Sequence, residues 1–170
     1  MPYLRVANVY ANHLDLSEVK SIHVSEHLLK KYLLNKGDLL IVEGNGSIEQ
    51  LGRVAIWDGS IESCVHQNHL IKARPHSPSS AKYLLAYLNS PHGRRQIKEV
   101  STSTSGLHTL SISKIERIEL PLSPENEVRE IIAEVDRRFS VLDQVEATVQ
   151  TTLARCGLLR QAILKRAFRG

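Results

Sequence analysis

Few residues in this sequence have the types and spacing that catalysis or metal binding requires. Cys64, His66 and His69 could contribute to a zinc site, but no fourth ligand is evident. On a strand, residues 64 and 66 would share one face while residue 69 would lie on the other. His23 and His27 are interpreted as surface residues. We therefore predict no catalytic residues and no metal site, and a zinc-dependent enzyme is kept only as a third alternative.

Polar side chains of the kinds that contact nucleic acids are spread over the first 108 residues. Arg, Asn and Gln can make paired hydrogen bonds to base edges, and Ser, Thr, Lys and Arg can hold phosphates. Taken singly, such a residue is more often a solvated loop residue, and residues 94–98 could equally form an ordinary exposed helix face. The candidate nucleic-acid contacts are Arg5, Asn8, Asn12, Asn45, Arg53, Gln67, Asn68, Arg94, Arg95, Lys98, Ser103, Thr104 and His108.

The strands expected to position these residues follow from short apolar runs separated by Gly, Asn and Ser. Residues 35–38 form a turn that leads into an apolar run typical of a buried strand. Asp58-Gly59 predicts a tight hairpin, because such a turn needs residues that adopt positive φ. The predicted strands are residues 3–10, 39–42, 52–57, 60–65 and 70–73.

Two short helices are predicted between residues 79 and 100. Ser79 or Ser80 is expected to cap the first, in which apolar residues recur at helical spacing. Ser90-Pro91 has the order of an N-cap followed by proline in the first helical turn, and it predicts the start of the second. Residues 101–108 are interpreted as a flexible, hydroxyl-rich loop, and residues 107–120 as a helical turn followed by a strand.

A long helix is predicted after Pro124, because no proline follows it and apolar residues repeat every seven positions from Val128. Half of the d positions of this heptad repeat are polar, and an apolar e position follows each of them. The apolar seam therefore shifts between the d and e positions along the helix. Such a seam requires another helix to cover it. The predicted seam residues are Val128, Ile131, Val135, Phe139, Leu142, Val145, Val149, Leu153, Cys156, Leu159 and Ile163.

Composition excludes several classes of protein. No apolar run approaches the roughly 18 residues of a membrane span, and the first residues lack a signal peptide's apolar stretch, so we expect a cytoplasmic protein without membrane contact. The formal net charge of +4 permits nucleic-acid binding without requiring it. One Trp, five Tyr and two Phe are too few for an aromatic platform on which single-stranded bases would stack in succession.

Five segments in a fixed order resemble the specificity subunit of type I restriction-modification enzymes. Each segment is degenerate by itself, and their joint order is specific. The order extends over nearly the whole chain. The segments are residues 3–9, 35–40, 87–91, 120–124 with Glu127, and 161–170.

The resemblance implies an α+β fold in which residues 1–121 form one target recognition domain and residues 122–170 one long spacer helix. The domain is expected to be N-terminally incomplete, because the family has an early strand ahead of the segment matching residue 3. A complete specificity subunit has two such domains and two helices, so this chain corresponds to half of one.

The function implied by the resemblance is sequence-specific recognition of double-stranded DNA without catalysis by this chain. The implied partners are the DNA methyltransferase (modification) subunit and the restriction subunit. S-adenosylmethionine, ATP and Mg would be bound by those partners and not by this chain. The alternative, from another class, is a coiled-coil adaptor whose globular head binds a protein.

The charge pattern of the long helix predicts how two copies would pair. Residues 125–150 contain seven acidic and three basic residues, whereas residues 151–170 contain five basic residues and no acidic ones. An antiparallel pair sets each acidic half against the partner's basic half, whereas a parallel pair sets like charges together. The sequence therefore predicts an antiparallel homodimer formed through this helix.

Overall fold

The computed structural model describes residues 1–121 and 123–168, which divide into two units, Met1–Arg129 and Glu130–Gly170. Leu122, Arg169 and Gly170, which belong to the predicted helical segment, lie outside the described residues.

The α+β class is confirmed. The described elements are β1 (Pro2–Leu4), a 3-10 helix (Val6–Asn8), β2 (Lys20–Ser21), α1 (Glu26–Tyr32), β3 (Leu39–Val42), β4 (Gly44–Asn45), β5 (Val54–Ile56), β6 (Val65–His66), β7 (Leu70–Ala73), α2 (Pro78–Asn89), α3 (Pro91–Val100), β8 (Thr102–Thr104), β9 (Leu107–Thr109), α4 (Ile112–Ile115) and α5 (Glu125–Ala167).

Strand β3 lies at the centre of the first unit. This position explains why all four of its residues are apolar. It pairs antiparallel with β5 on one edge and with β7 on the other. Leu40 and Val42 pack into one buried cluster with Trp57, while Leu39 and Ile41 pack into a second cluster. Because successive strand side chains point to opposite faces, a strand between two cores must be apolar at every position. The predicted strands at residues 39–42 and 70–73 are confirmed.

Two further sheets have three strands each. One has the order β2-β1-β6, in which β1 pairs antiparallel with β2 and parallel with β6. The other has the order β4-β9-β8, with antiparallel pairing throughout. Strands β8 and β9 form a hairpin whose turn residues, Ser105 and Gly106, both have positive φ. The predicted flexible loop at residues 101–108 is therefore wrong, because that turn lets the flanking residues pair as strands.

The predicted strand at residues 3–10 ends early. Strand β1 stops at Leu4, and a 3-10 helix follows. The Asn8 side chain causes the bend: its Oδ1 accepts from the Arg5 backbone N–H at 2.9 Å, and its Nδ2 donates to the carbonyls of Asp15 and Glu18. These bonds to the main chain replace the ladder that a longer strand would need.

The hairpin predicted at Asp58-Gly59 is also wrong. Strand β5 pairs with β3, and β6 pairs with β1, so the two segments that flank the turn lie in different sheets. The Trp57 backbone N–H donates to the Asp38 carbonyl at 2.7 Å, and its carbonyl accepts from Gly37 at 2.8 Å. These bonds fix the chain beside the turn that precedes β3. The Asp58 carboxylate then accepts from the Ser60 N–H in a local turn.

The sequence predicts the N-terminal cap of helix α3 correctly and that of helix α2 incorrectly. Ser90 caps α3 as expected, since its side chain accepts from the Gly93 N–H at 3.2 Å. The cap of α2 is Ser77 and not Ser79 or Ser80, because Pro78 can occupy the first helical turn. Residues 107–120 contain β9 and then α4, and no strand follows α4 among the described residues.

Helix α5 begins after Pro124, as predicted, and has 43 residues, which corresponds to about 64 Å. Its first half has ion pairs within the helix, including Arg129 with Glu125 and both Arg137 and Arg138 with Glu134. Most predicted seam residues are exposed: Leu142 is 58% exposed and Ile163 67%. Of the described part of α5, only Ile132 is buried. No described helix is both long enough and apolar enough to cross a membrane.

Candidate nucleic-acid interface

The structure brings three of the predicted contact residues into one polar cleft in the first unit. The cleft has a volume of about 420 Å³ and lies between the 10–13 loop, the segment that precedes β5, and the α2–α3 junction. We call it the arginine cleft. Its lining residues are Tyr10, Ala11, Asn12, His13, Glu49, Gln50, Arg53, Asn89 and Arg94.

Asn12 is fixed in this cleft by an unusual backbone conformation. Its φ is +70°, in the left-handed region that Asn tolerates better than most residues. The Asn12 N–H donates to the Val54 carbonyl at 2.9 Å, and its Oδ1 accepts from Asn89 Nδ2 at 2.8 Å. Asn89 also donates to the Val54 carbonyl. The 10–13 loop is therefore tied both to strand β5 and to the end of α2, which positions an exposed amide at the cleft.

Arg53 is held by neutral partners. Its Nη1 donates to Gln50 Oε1 at 2.9 Å, and its Nη2 donates to the Val6 carbonyl at 3.3 Å. The guanidinium carbon lies 5.4 Å from the centroid of the Tyr10 ring, in the range of a cation–π contact. Tyr10 in turn stacks on His13 at 5.0 Å between centroids. The Arg53 Nε is buried and has no hydrogen-bond partner among the described residues.

Arg94 lies on α3 and is half-buried. Its Nη2 donates to the Glu49 carbonyl at 3.0 Å, whereas its Nη1 is buried with no partner among the described residues. Burial lowers the pKa of the Arg94 guanidinium, the carboxylate of Glu49 opposes that shift, and the charge of Arg53 adds to it. The Glu49 carboxylate is itself bound by Lys98 Nζ at 2.6 Å. Positive charge therefore exceeds negative charge here.

A second group of predicted contacts lies on the β4-β9-β8 sheet. His108 pairs with Asn45 on one side and with Ser103 on the other, so these three residues form one row across the sheet. Residues directly opposite each other in neighbouring strands place their side chains on the same face. Thr104, also predicted, is exposed near the turn. We call Asn45, His108 and Ser103 the polar row.

The remaining predicted contacts do not join either group. Asn8 is 3% exposed and its amide is used in main-chain hydrogen bonds, so the structure gives it a structural role. Arg5 forms an ion pair with Glu18, and Arg95 donates to His92 Nδ1 at 2.8 Å. Lys98 is bound to Glu49 beside the arginine cleft. Gln67 and Asn68 line a different pocket, next to His66.

The cysteine and histidines considered for zinc are not arranged as ligands. The Cys64 thiol is buried, which raises its pKa to about 11, so it is not a thiolate. His66 Nδ1 lies 2.9 Å from the Gln67 carbonyl, and His69 lies near Glu43. Among the described residues, no three His, Cys, Asp or Glu side chains gather at a point that could hold a metal ion.

One histidine motif escapes the sequence analysis. Residues 23–27 read His-x-x-Glu-His, the order of the inverted zinc-protease motif. In that motif both histidines share one helix face. Here α1 begins at Glu26, so His23 precedes the helix, and both histidines are exposed.

The cleft also contains residues that sequence reasoning missed. Tyr10, His13, Gln50 and Asn89 support or line it, and Tyr10, His13 and Gln50 belong to none of the segments that carry the family resemblance. Asn89 has a signal, since it lies in the segment 87–91 and immediately precedes the predicted Ser90-Pro91 helix start. The cleft is built from three segments about 40 residues apart along the chain, and their meeting depends on the β3–β5 pairing and the packing of α2 and α3.

No family model matches the chain. It is 33% identical over 174 residues to the EcoKI type I restriction enzyme specificity subunit of Escherichia coli (strain K12), an alignment that covers 99% of this chain and 37% of that protein. It is 29% identical over 170 residues to the StySPI specificity subunit of Salmonella potsdam, covering 98% and 36% of the two chains. The EcoBI specificity subunit of Escherichia coli is 25% identical over 168 residues. The chain is thus homologous along its whole length to type I restriction enzyme specificity subunits, of which it spans little more than a third.

Proposed function

We propose that this chain recognises a DNA sequence as half of a type I specificity subunit. Residues 1–121 are the target recognition domain, which reads one half of a split target, and residues 122–170 are the spacer helix. The observation that carries the proposal is the homology to the EcoKI specificity subunit over 99% of the chain. The polar row and the arginine cleft support it, because both present nitrogen-rich polar groups on the same recognition domain.

The polar row is the surface that we assign to base reading. The B-DNA major groove admits a two-stranded β-ribbon, and the β8–β9 hairpin forms the edge of the β4-β9-β8 sheet, with the side chains of β8 exposed. An Asn amide can both donate to and accept from an adenine edge, while His and Ser can bond to several bases. The row includes one residue from each of three strands, so its spacing is fixed by the sheet before DNA binds.

The chain has no catalytic activity of its own in this proposal. Methylation and cleavage belong to the modification and restriction subunits with which it assembles, and those subunits bind S-adenosylmethionine, ATP and Mg. The complex acts on cellular DNA, so the chain is located in the cytoplasm. Its contribution is to place the partners on a defined sequence.

Two copies pair antiparallel through α5 to form a complete specificity unit. The exposed apolar residues of the helix need a partner, and the opposite charges of its two halves favour the antiparallel arrangement over the parallel one. Exposed ion pairs contribute only about 0–1 kcal/mol each, so their main effect is on orientation. The apolar seam supplies the affinity.

Two-fold symmetry has a consequence for the target. Two identical recognition domains related by a two-fold axis read an inverted repeat with an unread spacer between its halves. A helix of about 64 Å limits the separation of the half-sites to about 20 base pairs at 3.4 Å per step.

The alternative function is that of a coiled-coil adaptor whose first unit binds a protein. The two functions differ in their response to salt, because DNA binding releases counterions and weakens steeply as salt rises. An adaptor would show no retention on DNA at low salt.

The decisive experiment is co-expression of this chain with a modification subunit from the same host, followed by mapping of methylated positions in the host DNA. We expect a stable complex and methylation at one bipartite inverted repeat. The double variant Asn45→Ala, His108→Ala is expected to assemble equally well but to lose or alter the methylated sequence, whereas the exposed control Lys30→Ala leaves it unchanged. A stable complex with no methylation beyond the subunit alone would contradict the proposal.

A further inference from the structure

The arginine cleft contains two guanidinium groups whose charges the protein does not neutralise. The hydrogen-bond acceptors of Arg53 are the Gln50 amide and the Val6 carbonyl, and that of Arg94 is the Glu49 carbonyl. All three acceptors are neutral. Each arginine also retains one buried N–H without a partner among the described residues, Nε of Arg53 and Nη1 of Arg94. Both groups are thus oriented by the protein and left with unused donors.

The nearby acidic group compensates for them only in part. Glu49 is the acidic residue that lines the cleft, and its carboxylate lies 2.6 Å from Lys98 Nζ. Three cations therefore face one carboxylate. Burial is the main cause of the lowered pKa of Arg94; the charge of Glu49 opposes it, and the repulsion by Arg53 adds a smaller contribution. Half-buried like charges that outnumber their counterions are costly, and an anion placed between them reduces that cost.

We propose that Arg53 and Arg94 bind one backbone phosphate of the DNA target. This inference rests on the proposed function. A phosphodiester fits the site better than a carboxylate does, since its tetrahedral oxygens can accept from two guanidinium groups that approach from different elements. The cleft volume of about 420 Å³ also leaves room for the attached sugar, and Tyr10 and His13 line it with two stacked aromatic rings.

The arginine cleft and the polar row have different roles in the recognition that we propose. The polar row lies on the β4-β9-β8 sheet, and one chain segment, residues 44–53, connects its Asn45 to Arg53 of the cleft. A phosphate contact carries no sequence information but fixes the position of a protein on the duplex. The arginine cleft therefore sets the register in which the polar row meets the bases.

The test measures DNA affinity as a function of salt for the full chain in complex with its modification subunit. Each phosphate that the protein neutralises makes the negative slope of log Kobs against log salt steeper by about 0.9. We expect Arg53→Gln and Arg94→Gln each to reduce the steepness of the slope by about one and to weaken target and non-target DNA alike. The double variant should lose about one unit and not two, because both residues contact the same phosphate. Arg117→Gln, an exposed arginine outside the cleft, is the matched control.

A second measurement alters the DNA. In a series of duplexes that each carry one uncharged methylphosphonate, one position per half-site should reduce both the affinity and the steepness of the salt dependence of the unaltered complex, and this result does not depend on the folding of any variant. The same substitution should have no further effect on Arg94→Gln. If target DNA binds specifically and the slopes of all variants equal the unaltered slope, the phosphate site is wrong while the proposed function stands. If the unaltered complex binds no DNA, both fail. Saturable binding of inorganic phosphate that Arg94→Gln abolishes, with unchanged DNA slopes, would also overturn the site, since its anion would then be free phosphate.

Discussion

Arg74 and Asp38 form an ion pair with two parallel hydrogen bonds, 2.7 Å from Nε to Oδ1 and 2.8 Å from Nη2 to Oδ2. Asp38 is 1% exposed and ends the turn before β3, whereas Arg74 follows β7 and its side chain is about half exposed. The same carboxylate accepts from the Asn35 N–H at 2.8 Å. One side chain thus fixes both the turn that enters the central strand and the end of its neighbour.

Replacing Arg74 should destabilise the first unit. Arg74→Ala leaves a buried carboxylate with only the Asn35 N–H, and we expect a loss of about 1–3 kcal/mol in the free energy of unfolding. Water reaches the exposed side of this pair, which keeps the loss below that of a fully buried one. Urea denaturation measures it. Arg117→Ala, which removes an exposed arginine, should change the free energy of unfolding by less than 0.5 kcal/mol, roughly the limit for surface changes.

The buried imidazole of His66 should make stability depend on pH. Burial lowers the pKa of His66 below its usual 6.5, and the bond to the Gln67 carbonyl only partly opposes this. A group with a lowered folded-state pKa contributes its full stability above the unfolded value and loses it as pH falls. The unfolding free energy should therefore decline below about pH 6.5, and His66→Gln should reduce that decline.

Denaturation midpoints at a series of pH values between 7 and 5 would measure this effect. His76→Gln, an exposed histidine, is the control and should keep the slope of the unaltered protein. Parallel pH profiles for His66→Gln and the unaltered protein would show that His66 does not carry the effect.

Replacement of glycine by alanine should lower stability at one position and raise it at another. At Gly93 an added Cβ would lie 2.2 Å from the Tyr87 carbonyl oxygen and 2.8 Å from the Leu88 Cα, so Gly93→Ala must force α2 and α3 apart. We expect a loss of several kcal/mol, of the order of 3 or more, as for other overpacked sites. At Gly157, on α5, nothing lies within 4 Å, and Gly157→Ala should stabilise the helix by about 1 kcal/mol. Thermal unfolding of both variants tests the pair; equal effects of the same sign would contradict the α2–α3 packing.

The antiparallel dimer can be tested by disulfide crosslinking in a Cys156→Ser background, since Cys156 is exposed and Cys64 is buried. Glu130→Cys combined with Arg160→Cys should give efficient crosslinks between chains, whereas Glu130→Cys alone should give few. Efficient crosslinking of Glu130→Cys to itself would indicate a parallel pair. A monomer in sedimentation at micromolar concentration would exclude the dimer altogether.

Sequence patterns correctly predicted the elements that depend on the burial or capping of neighbouring residues. The four apolar residues of β3 indicate a strand because both of its faces are buried, and Ser90-Pro91 indicates a helix start because capping involves only the first turn. The hairpin at Asp58-Gly59 failed for the opposite reason. Its turn chemistry is correct, but the long-range bonds of Trp57 to Gly37 and Asp38 direct the chain into another sheet.

The candidate site was predictable in its residue types and not in its arrangement. Asn8 and Asn12 are four positions apart with the same side chain, yet one amide is used by the main chain and the other lies at a cleft. Hydrogen bonds from the Asn12 N–H to the Val54 carbonyl and from Arg94 to the Glu49 carbonyl hold the segments of Asn12, Arg53 and Arg94 together. Those bonds join residues about 40 positions apart, beyond the range of any local pattern.

The burial of Trp57 gives the molecule two separate optical signals. It is the single tryptophan of the sequence, it lies in the core of the first unit, and residues 130–170 contain neither Trp nor Tyr. Tryptophan emission therefore reports the unfolding of the first unit alone, while far-ultraviolet circular dichroism is weighted toward the 43 helical residues of α5. Recorded on one sample, the two signals distinguish melting of the first unit from melting of the long helix, without any added label.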